Sequence, residues 1–415
     1  MLVEIAQSQM LKVLVNAYAV SPCRGSEPGM GWNWCVRLAR ECELYIITEG
    51  EFKDEIENAL QSLPQKDNMH FFYLPVSNRI RKMCWNQGDW RFYFHYSRWQ
   101  RRALAWARTI CKDYKVDLFH QLNMVGFREP GYLWKINEIP FIWGPIAGMT
   151  LTPVQFFNEA SCKDRIKVVI KNALNSFQRK YSPRVRKAVR RSRIVLCATK
   201  DDFDVVSGYH HGKALLVNET GTSEVVAPVE RNNDPIRLIW VGKFMFTKQL
   251  GLALKILSRL RDYPVVLDVV GSGTPEEEER YHSMATSMGL SERVIWHGQV
   301  PREDVDSLMD KADIFLFTSI HEATSTVVME AVSHGLPVVC FDACGFGPVV
   351  NEKMGIKIPV TDPENAVGDF AEAIMEIAGN PKLRSDMSQE CYKVSPELSW
   401  NAKTRKLMDI YESYA

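Results

Sequence analysis

This sequence of 415 residues lacks several features of membrane and secreted proteins. No apolar run approaches the ~20 residues that a membrane-spanning helix needs. The first nine residues include Glu4 and do not show a basic run followed by an apolar stretch, which is the pattern of a secretion signal. These absences argue against a membrane span or a secreted chain, and we expect a cytoplasmic protein.

The sequence also lacks the cysteine patterns of metal-binding proteins. Its ten cysteines are scattered, and none of them form a Cys-x-x-Cys pair. Histidines complete no zinc spacing, and no Asp-x-Asp lies near a predicted strand end. We therefore expect reduced thiols, as in the cytosol, and no bound metal.

The net charge is close to zero, at +1, but the charges are unevenly distributed. Residues 1–229 hold about 32 Lys and Arg against about 22 Asp and Glu, so the remainder is acidic. The chain is longer than the roughly 250–300 residues at which a single core stops growing, so we expect two cores. A basic first half and an acidic second half indicate different partners for each.

Buried strands alternate with helices along the whole chain, which predicts parallel sheets with helices on both faces. The first series opens on a strand at 11–18, and a second begins at Ile236 after a polar linker with two prolines at 225–235. The expected fold class is α/β, with two Rossmann-like, doubly wound domains. We place the N-terminal domain at 1–228, the second domain at 229–396 and an amphipathic helix at 397–415.

The most informative stretch is 318–350. A continuous apolar strand at 314–318 ends in a polar loop that contains Glu322, and a helix is predicted over 326–333. Free amides at a helix start, together with the helix dipole, make a cradle for a diphosphate. The residues suited to cap this helix are Thr324, Ser325 and Thr326.

Glu330 lies inside the same predicted helix, eight positions after Glu322. A carboxylate there can accept hydrogen bonds from both hydroxyls of a ribose, as the acidic residue of dinucleotide-binding folds does. Two glutamates eight apart on a solvated helix would be unremarkable. The surrounding order of strand, polar loop, capped helix, Gly-x-Pro and strand favours a nucleotide site.

A second glycine-containing loop, 25–31, follows the first strand, and a helix is predicted over 32–40. At Gly29 and Gly31 the backbone can approach a diphosphate or an acceptor closely. Glu27 is a candidate for acceptor binding or for a general base. Its alternative role is a carboxylate that stabilises the loop.

The stretch that contains Glu322 and Glu330 resembles the E-x7-E segment of family 4 retaining glycosyltransferases, which have the GT-B fold. The similarity extends to the Gly-Lys pair at 242–243 and to the segments 269–273 and 294–298. Residues 25–32 are similar to the Ser-Glu-Pro-Gly-x-Gly-Trp loop of a bacterial branch of that family, and so are His120 and residues 141–145.

The resemblance implies two domains facing a central cleft, with the C-terminal helix crossing back to the first domain. It implies that Glu322 steadies the positive charge developing at the anomeric carbon and that Glu330 holds the ribose. Lys243 and Lys248 would neutralise the leaving diphosphate. Two lysines and a helix start supply the positive charge that Mg²⁺ supplies elsewhere, so no metal or other cofactor is expected.

The same resemblance assigns further contacts. His120 is expected in the cleft near the transferred sugar, and Glu27 with Trp32 on the acceptor side. The loop 298–301 would present its backbone to the nucleotide base. The remaining positions assigned to the donor are Gly29, Gly31, Gly242, Gly298 and Val300.

Two basic, aromatic stretches account for the charge of the first half. They lie at 79–108 and 163–193, and the second carries about twelve basic residues and one acid. Such a pattern can lie on an anionic membrane, which a polyprenyl-linked acceptor would require. The alternative is basic helices on the domain exterior. Nucleic acid is not expected as a partner, because no nucleic-acid-binding motif accompanies the charge.

The sequence thus predicts a retaining glycosyltransferase that uses a UDP- or GDP-sugar and a glycan or lipid-linked acceptor. By resemblance, the pathway is bacterial surface polysaccharide biosynthesis, at the inner face of the cell membrane. The alternatives are a GT-B sugar-nucleotide epimerase and a non-catalytic sugar-nucleotide-binding homologue. A non-catalytic homologue would be expected to lack Glu322 or the two lysines, and all three residues are present.

Overall fold

Two parallel sheets organise the computed structural model, which describes residues 10–86, 89–209, 213–223 and 226–415. Helices cover the sheets and connect successive strands, as the alternation in the sequence predicts. The predicted α/β class with two doubly wound sheets is confirmed.

The first sheet has seven strands in the order β3-β2-β1-β4-β5-β6-β7, all parallel. Its strands are β1 (Lys12–Ala17), β2 (Glu43–Thr48), β3 (Met69–Tyr73), β4 (Leu118–Asn123), β5 (Phe141–Ile146), β6 (Ile194–Cys197) and β7 (Ala214–Leu216). The helices of this half are α1 (Ser26–Leu38), α2 (Lys53–Leu60), α3 (Asn78–Trp85), α4 (Arg91–Asp113), α5 (Cys162–Tyr181), α6 (Pro183–Arg191) and α7 (Lys200–Ser207).

The second sheet has six parallel strands in the order β10-β9-β8-β11-β12-β13. Its strands are β8 (Ile236–Val241), β9 (Val265–Val270), β10 (Val294–Gly298), β11 (Ile314–Phe317), β12 (Val338–Phe341) and β13 (Gly355–Ile358). The remaining helices are α8 (Leu250–Arg259), α9 (Pro275–Ser287), α10 (Arg302–Lys311), α11 (Thr326–Ser333), α12 (Pro363–Gly379), α13 (Pro381–Leu398) and α14 (Trp400–Tyr414).

Each sheet changes its direction of winding at one place, between β1 and β4 in the first and between β8 and β11 in the second. In open parallel sheets, ligands bind in the crevice that the loops leave at such a switch point, beyond the carboxyl ends of the strands. The loops after β1, β4, β8 and β11 are therefore the places where a site is expected.

The last helix, α14, packs against α1 of the first half. The indole rings of Trp400 and Trp34 meet edge to face, with their centroids 5.4 Å apart. At the other end of the helix, the hydroxyl of Tyr411 reaches the ring of His120 inside the first sheet. The chain thus returns from the second sheet to the first.

A short segment of the first half, Val154–Glu159, packs into the core of the second. The ring of Phe156 is fully buried there, with its centroid 5.3 Å from that of Phe341. The backbone carbonyl of Phe156 accepts a hydrogen bond of 3.0 Å from Nε2 of Gln249. The carboxylate of Glu159 accepts from the backbone N–H of Gly251 at 3.2 Å. The sequence places this segment within the domain 1–228, whereas its packing joins it to the second core.

Two helices of the first half expose large apolar side chains. Phe94 on α4 is 66 % exposed, and Ile166 and Phe177 on α5 are each 62 % exposed. The opposite face of α5 is anchored through Asn175, which is fully buried. Among the described residues, no helix combines the length and the apolar composition required to cross a bilayer.

The sequence misplaces two boundaries near the first switch point. Helix α1 begins at Ser26, so Gly29 and Gly31 lie in its first turns and not in a loop. Glycine is required at Gly31 because a Cβ there would lie 2.6 Å from the carbonyl oxygen of Ala19. Strand β4 continues three residues past His120, so this histidine is in the middle of a strand.

Candidate active site

A cavity of about 630 Å³ lies between the two sheets, at the carboxyl ends of their strands. Residues that follow β1, β4 and β7 line it from one side, and residues that follow β10 and β11 line it from the other. The polar and charged side chains that line it include Arg24, Glu27, Asn33, Glu219, Arg302, Glu322, Thr324, Thr326 and Glu330.

Glu322 is held in the loop after β11 by an ion pair with Lys248. Its Oε1 atom also accepts a hydrogen bond of 2.7 Å from the hydroxyl of Ser319. The backbone around Lys248 is fixed in turn, because the hydroxyl of Thr318 donates to its carbonyl oxygen at 2.8 Å. Both charged side chains are less than one-fifth exposed, so little water screens their attraction. The structure thus brings together one predicted lysine and one predicted glutamate.

The first turn of α11 presents its backbone to the same cavity. Ser325 is the N-cap residue and makes no side-chain capping bond, while Thr326 lines the cavity. The backbone N–H of Thr324 donates to Oε1 of Glu219 at 2.9 Å. Glu219 belongs to the segment after β7, so a carboxylate from the first half occupies the start of this helix. A negatively charged ligand at that point is favoured by the helix dipole.

Glu330 lies one turn further along α11 and also lines the cavity. Its Oε1 atom is 2.7 Å from Nη2 of Arg302, at the start of α10. Burial raises the pKa of the Glu330 carboxyl group, and the positive charge of Arg302 opposes that rise. The carboxylate is 16 % exposed, which leaves it accessible to a ligand in the cavity.

The other residues assigned to the donor are more dispersed. Gly242 directly follows β8 and lies close to Lys248, and Lys243 beside it is exposed and does not line the cavity. Gly298 is an exposed residue with a φ of +66°, at the end of β10. Val300 packs partly against the second core. Among the described residues, Lys248 is therefore the lysine of the predicted pair that contacts Glu322.

On the other wall of the cavity, Glu27 is bonded to the backbone N–H of Val125 at 2.5 Å. Burial raises the pKa of the Glu27 carboxyl group to about 7, the Val125 bond lowers it and the charge of Glu219 raises it. Gly29 lines the cavity beside Glu27. A carboxyl group that titrates near neutral pH can exchange a proton with a ligand.

Trp32 and Gly31 do not line the cavity. Trp32 packs against the core face of the first sheet. Gly31 is enclosed between the carbonyl of Ala19 and the side chain of Asn123. The structure therefore gives both residues a packing role at this end of α1.

His120 is not in the cleft, and the sequence-based expectation for its position is wrong. The side chain is fully buried in β4, with Nδ1 2.5 Å from the hydroxyl of Tyr411 and Nε2 2.6 Å from the carbonyl oxygen of Gly144. Burial lowers the pKa of His120 to about 4, and the bond to Gly144 opposes this. A neutral ring with both nitrogens engaged joins α14 to the first sheet.

Sequence reasoning missed Glu219, Arg302 and Lys403. Lys403 on α14 is buried beneath the cavity wall, where its ammonium group bonds to the carbonyl oxygen of Thr220. Burial lowers the pKa of Lys403 to about 7, and the charge of Glu219 raises it. Arg302 directly follows the loop 298–301, which the sequence analysis assigned to the nucleotide, so its position in the sequence could have indicated a role in the site. Glu219 and Lys403 have no local pattern that marks them.

Among the described residues, no three His, Cys, Asp or Glu side chains come together in a way that could hold a metal ion.

The second half of the chain matches a known family. Residues 223–394 fit the family described as glycosyl transferases group 1. A curated relative is the lipopolysaccharide core biosynthesis glycosyltransferase LpsE of Rhizobium meliloti, 27 % identical over 202 residues, which cover 47 % of this chain and 56 % of that protein. The chain spans about half the length of the curated relatives it matches.

Solved structures are similar over nearly the whole chain. The lipopolysaccharide outer core galactosyltransferase WaaB in its apo form superposes with a TM-score of 0.60 at 15 % identity, over 98 % of this chain and 100 % of that one. The Anabaena protein HepE in complex with UDP superposes with a TM-score of 0.61 at 13 % identity, over 97 % and 100 %. The chain therefore has the GT-B fold, and its residues 223–394 match the family described as glycosyl transferases group 1.

Proposed function

We propose that this chain is a retaining glycosyltransferase of family 4, which moves a sugar from a UDP- or GDP-sugar to a glycan or lipid-linked acceptor. We place it in bacterial surface polysaccharide biosynthesis, at the inner face of the cell membrane. The similarity to enzymes of lipopolysaccharide assembly and to a UDP-bound structure supports this assignment. The observation that carries it is the cavity in which Glu322, Glu330 and the start of α11 converge.

The arrangement suggests how a donor lies. The ribose hydroxyls donate to Glu330, and the diphosphate lies at the first turn of α11, beside Lys248. The transferred sugar then faces Glu322, and the acceptor enters from the wall that contains Glu27. Binding of this donor requires Lys248 to leave Glu322 for the diphosphate and Glu219 to leave the N–H of Thr324.

The reaction breaks the bond between the anomeric carbon and the diphosphate oxygen, and the electron pair leaves with the diphosphate. The acceptor oxygen forms the new bond on the same face of the sugar, and its proton passes to the leaving phosphate oxygen. Lys248 and the helix start neutralise the departing charge. The carboxylate of Glu322 stabilises the positive charge at the anomeric carbon, which is electrostatic stabilisation by prearranged groups.

The proposed reaction is metal-independent, because an ammonium group and a helix start together provide the positive charge that Mg²⁺ provides in other reactions with a diphosphate leaving group. We expect turnover to be the same in excess EDTA as in added Mg²⁺. A strict requirement for Mg²⁺ would contradict this part of the proposal.

A donor screen tests the function directly. Purified protein is mixed with UDP-glucose, UDP-galactose, UDP-N-acetylglucosamine and GDP-mannose, and the melting temperature is measured. At about 100 times its Kd a donor stabilises the folded state by about 2.7 kcal/mol. The donor that raises the melting temperature should also be hydrolysed slowly to UDP or GDP without an acceptor. If no donor shifts the melting temperature and none is hydrolysed, the proposal fails.

The same assay separates the alternatives, which the comparisons do not favour. An epimerase would convert the donor into a second sugar nucleotide. A non-catalytic homologue would show the thermal shift and no turnover. Release of the nucleoside diphosphate with a glycosylated product identifies a transferase.

We also propose that the exposed apolar side chains of α4 and α5 lie on an anionic lipid surface. Phe94, Ile166 and Phe177 project from helices that are rich in arginine and lysine, so the surface matches negatively charged headgroups and the acyl boundary together. A lipid-linked acceptor would then reach the cavity without leaving the membrane.

Vesicle flotation tests this contact. We expect the protein to float with vesicles of phosphatidylglycerol and phosphatidylcholine and not with phosphatidylcholine alone. The double variant Ile166→Asp/Phe177→Asp should lose flotation, whereas Val229→Asp, at an exposed apolar residue in the linker, should retain it. Equal flotation of the double variant and the wild type would refute the surface.

A further inference from the structure

Arg128, Lys171 and His321 lie outside the cavity lining, and Lys171 is on the face of α5 that carries the buried Asn175. This face rests on the loop after β5, at the carboxyl ends of the first sheet. Asn172 donates to the carbonyl oxygen of Thr152 at 2.8 Å, and Asn175 donates to that of Gly148 at 3.0 Å. Residues on this face are therefore held at the edge of the sheet where the cleft opens.

Arg128 approaches the same face from the loop after β4. Its Nε atom donates to Gln178 at 2.8 Å, and its Nη2 atom bonds to Asn175. Both partners are neutral amides, so they fix the guanidinium group and leave its charge uncompensated. Lys171, an exposed residue, lies one turn before Asn175 on α5, and partial loss of hydration, together with the charge of Arg128, lowers the pKa of Lys171.

The third member of the group comes from the second half of the chain. His321 directly precedes Glu322, and its Nδ1 atom is shielded from solvent without a hydrogen-bond partner among the described residues. Burial and the positive charge of Lys171 lower the pKa of His321 to about 4. In its Nδ1–H tautomer the neutral ring can donate one hydrogen bond to a ligand, and the charge of Lys171 acts on this ring.

Arg128 and Lys171 lack a balancing carboxylate among the residues that the structure describes. Within the described ranges, neither Arg128 nor Lys171 has an Asp or Glu oxygen within ion-pair distance. The nearby carboxylates pair with other cations instead: Glu129 with Arg184, Glu322 with Lys248 and Glu330 with Arg302. Two cations against one face of α5 and a shielded ring nitrogen without a partner are groups from which an anion-binding site can be built. A phosphate or diphosphate group has enough acceptor oxygens to bond to all three residues.

We propose that Arg128, Lys171 and His321 bind the phosphate or diphosphate group of the acceptor and hold it beside Glu322. This inference rests on the proposed glycosyl transfer and names the acceptor's chemical class. The opposite face of α5 carries Ile166 and Phe177, so one helix presents a polar face to a headgroup and an apolar face to a hydrocarbon chain. A phosphorylated lipid matches both.

Calorimetric titration of farnesyl diphosphate and of inorganic pyrophosphate tests the site. Lys171→Gln should weaken binding of both probes at least about tenfold, the size of one charge-assisted hydrogen bond. Lys171→Arg should restore affinity to within about threefold, because the charge is retained. Lys180→Gln is the matched control, since nine helical residues at 100° each place Lys180 on the opposite face of the same helix. It should bind both probes as the wild type does.

The outcomes are separable. Tighter binding of farnesyl diphosphate than of pyrophosphate supports a lipid acceptor, and equal binding supports the anion site with a soluble phosphorylated acceptor. If Lys171→Gln binds like the wild type, or if Lys248→Ala alone abolishes all probe binding, the inference is wrong, because the probe then occupies the donor site. The donor screen is independent: a Lys171-dependent site with no thermal shift by any sugar nucleotide would refute the proposed function and leave the anion site standing.

Discussion

Replacing Lys248 with alanine is the sharpest test of the active site. The ammonium group is bonded to Glu322, and both side chains are less than one-fifth exposed. In the variant, the carboxylate of Glu322 keeps the hydroxyl of Ser319 as its partner and loses its counter-charge. The diphosphate loses the nearest cation at the moment its charge develops.

The expected loss follows from that geometry. Removing one prearranged electrostatic stabiliser lowers kcat by about 10²–10³, which corresponds to about 2.7–4 kcal/mol of transition-state stabilisation. Glu322→Gln should cost a similar amount, because it removes the charge that faces the anomeric carbon. Since the two side chains contact each other, the double variant should lose clearly less than the product of the two single losses.

The measurement is the rate of UDP or GDP release with the donor found in the thermal screen. Lys353→Ala, at an exposed lysine of the second half, is the control and should turn over like the wild type. Melting temperatures of all variants should stay close to that of the wild type, so that a loss of rate is not a loss of folded protein. A Lys248→Ala variant that is folded and within threefold of the wild-type rate would refute the assigned role.

Three further outcomes are expected. Tyr411→Phe removes the hydroxyl that bonds to His120 and should cost about 1–3 kcal/mol in urea unfolding, with turnover per folded molecule unchanged; unchanged stability would contradict the structural role. Phe156→Ala should cost about 3–5 kcal/mol, while Val154→Ala, at an exposed residue of the same segment, should cost little. Because burial raises the pKa of Glu27 from 4.5 to about 7, the folded state binds this proton more tightly than the unfolded chain, and wild-type stability should fall as pH rises through that window. Glu27→Gln should flatten that fall in melting temperatures measured from pH 4 to pH 8.

Much of the fold was predictable because its signals are local. Buried β-strands, helix caps and glycine or proline breaks lie within a few residues of each other, so the strand and the helix on either side of Glu322 were placed to within one residue, whereas β13, α12 and α13 were not predicted. The strand predicted over 314–318 and the helix predicted over 326–333 agree with β11 and α11. The approach of Glu322 and Glu330 to one cavity follows from one loop and one helix, which the sequence shows as a unit.

The contacts that the sequence did not reveal join distant segments. Phe156 and Glu219 interact with residues about 100 positions away, and nothing in their neighbourhoods marks the partner. His120 was misplaced because polar residues usually end a buried strand. Here β4 continues, since the amide of Asn16 satisfies Gln121 at 2.9 Å within the sheet. A buried polar network can extend a strand, and it depends on residues that only the tertiary fold brings together.

The positively charged groups that line the cavity, and the free end of its helix, are all paired with carboxylates. Each group that would bind the anionic donor is held by a carboxylate of the chain itself. These pairs are Lys248 with Glu322, Arg302 with Glu330 and the N–H of Thr324 with Glu219. Donor binding is then an exchange, in which phosphate oxygens displace carboxylates from their partners.

Such an exchange favours a complete sugar nucleotide over a bare diphosphate. Carboxylates that lose their partners in a partly buried cleft are costly unless new donors replace the old ones. Inorganic diphosphate can displace Glu322 and Glu330 but offers them no hydrogen. A sugar nucleotide supplies ribose hydroxyls to Glu330 and sugar hydroxyls to Glu322, so it compensates both glutamates as it binds. When the ribose and the sugar bind to Glu330 and Glu322, these glutamates release Arg302 and Lys248. The released cations can then bind the leaving diphosphate.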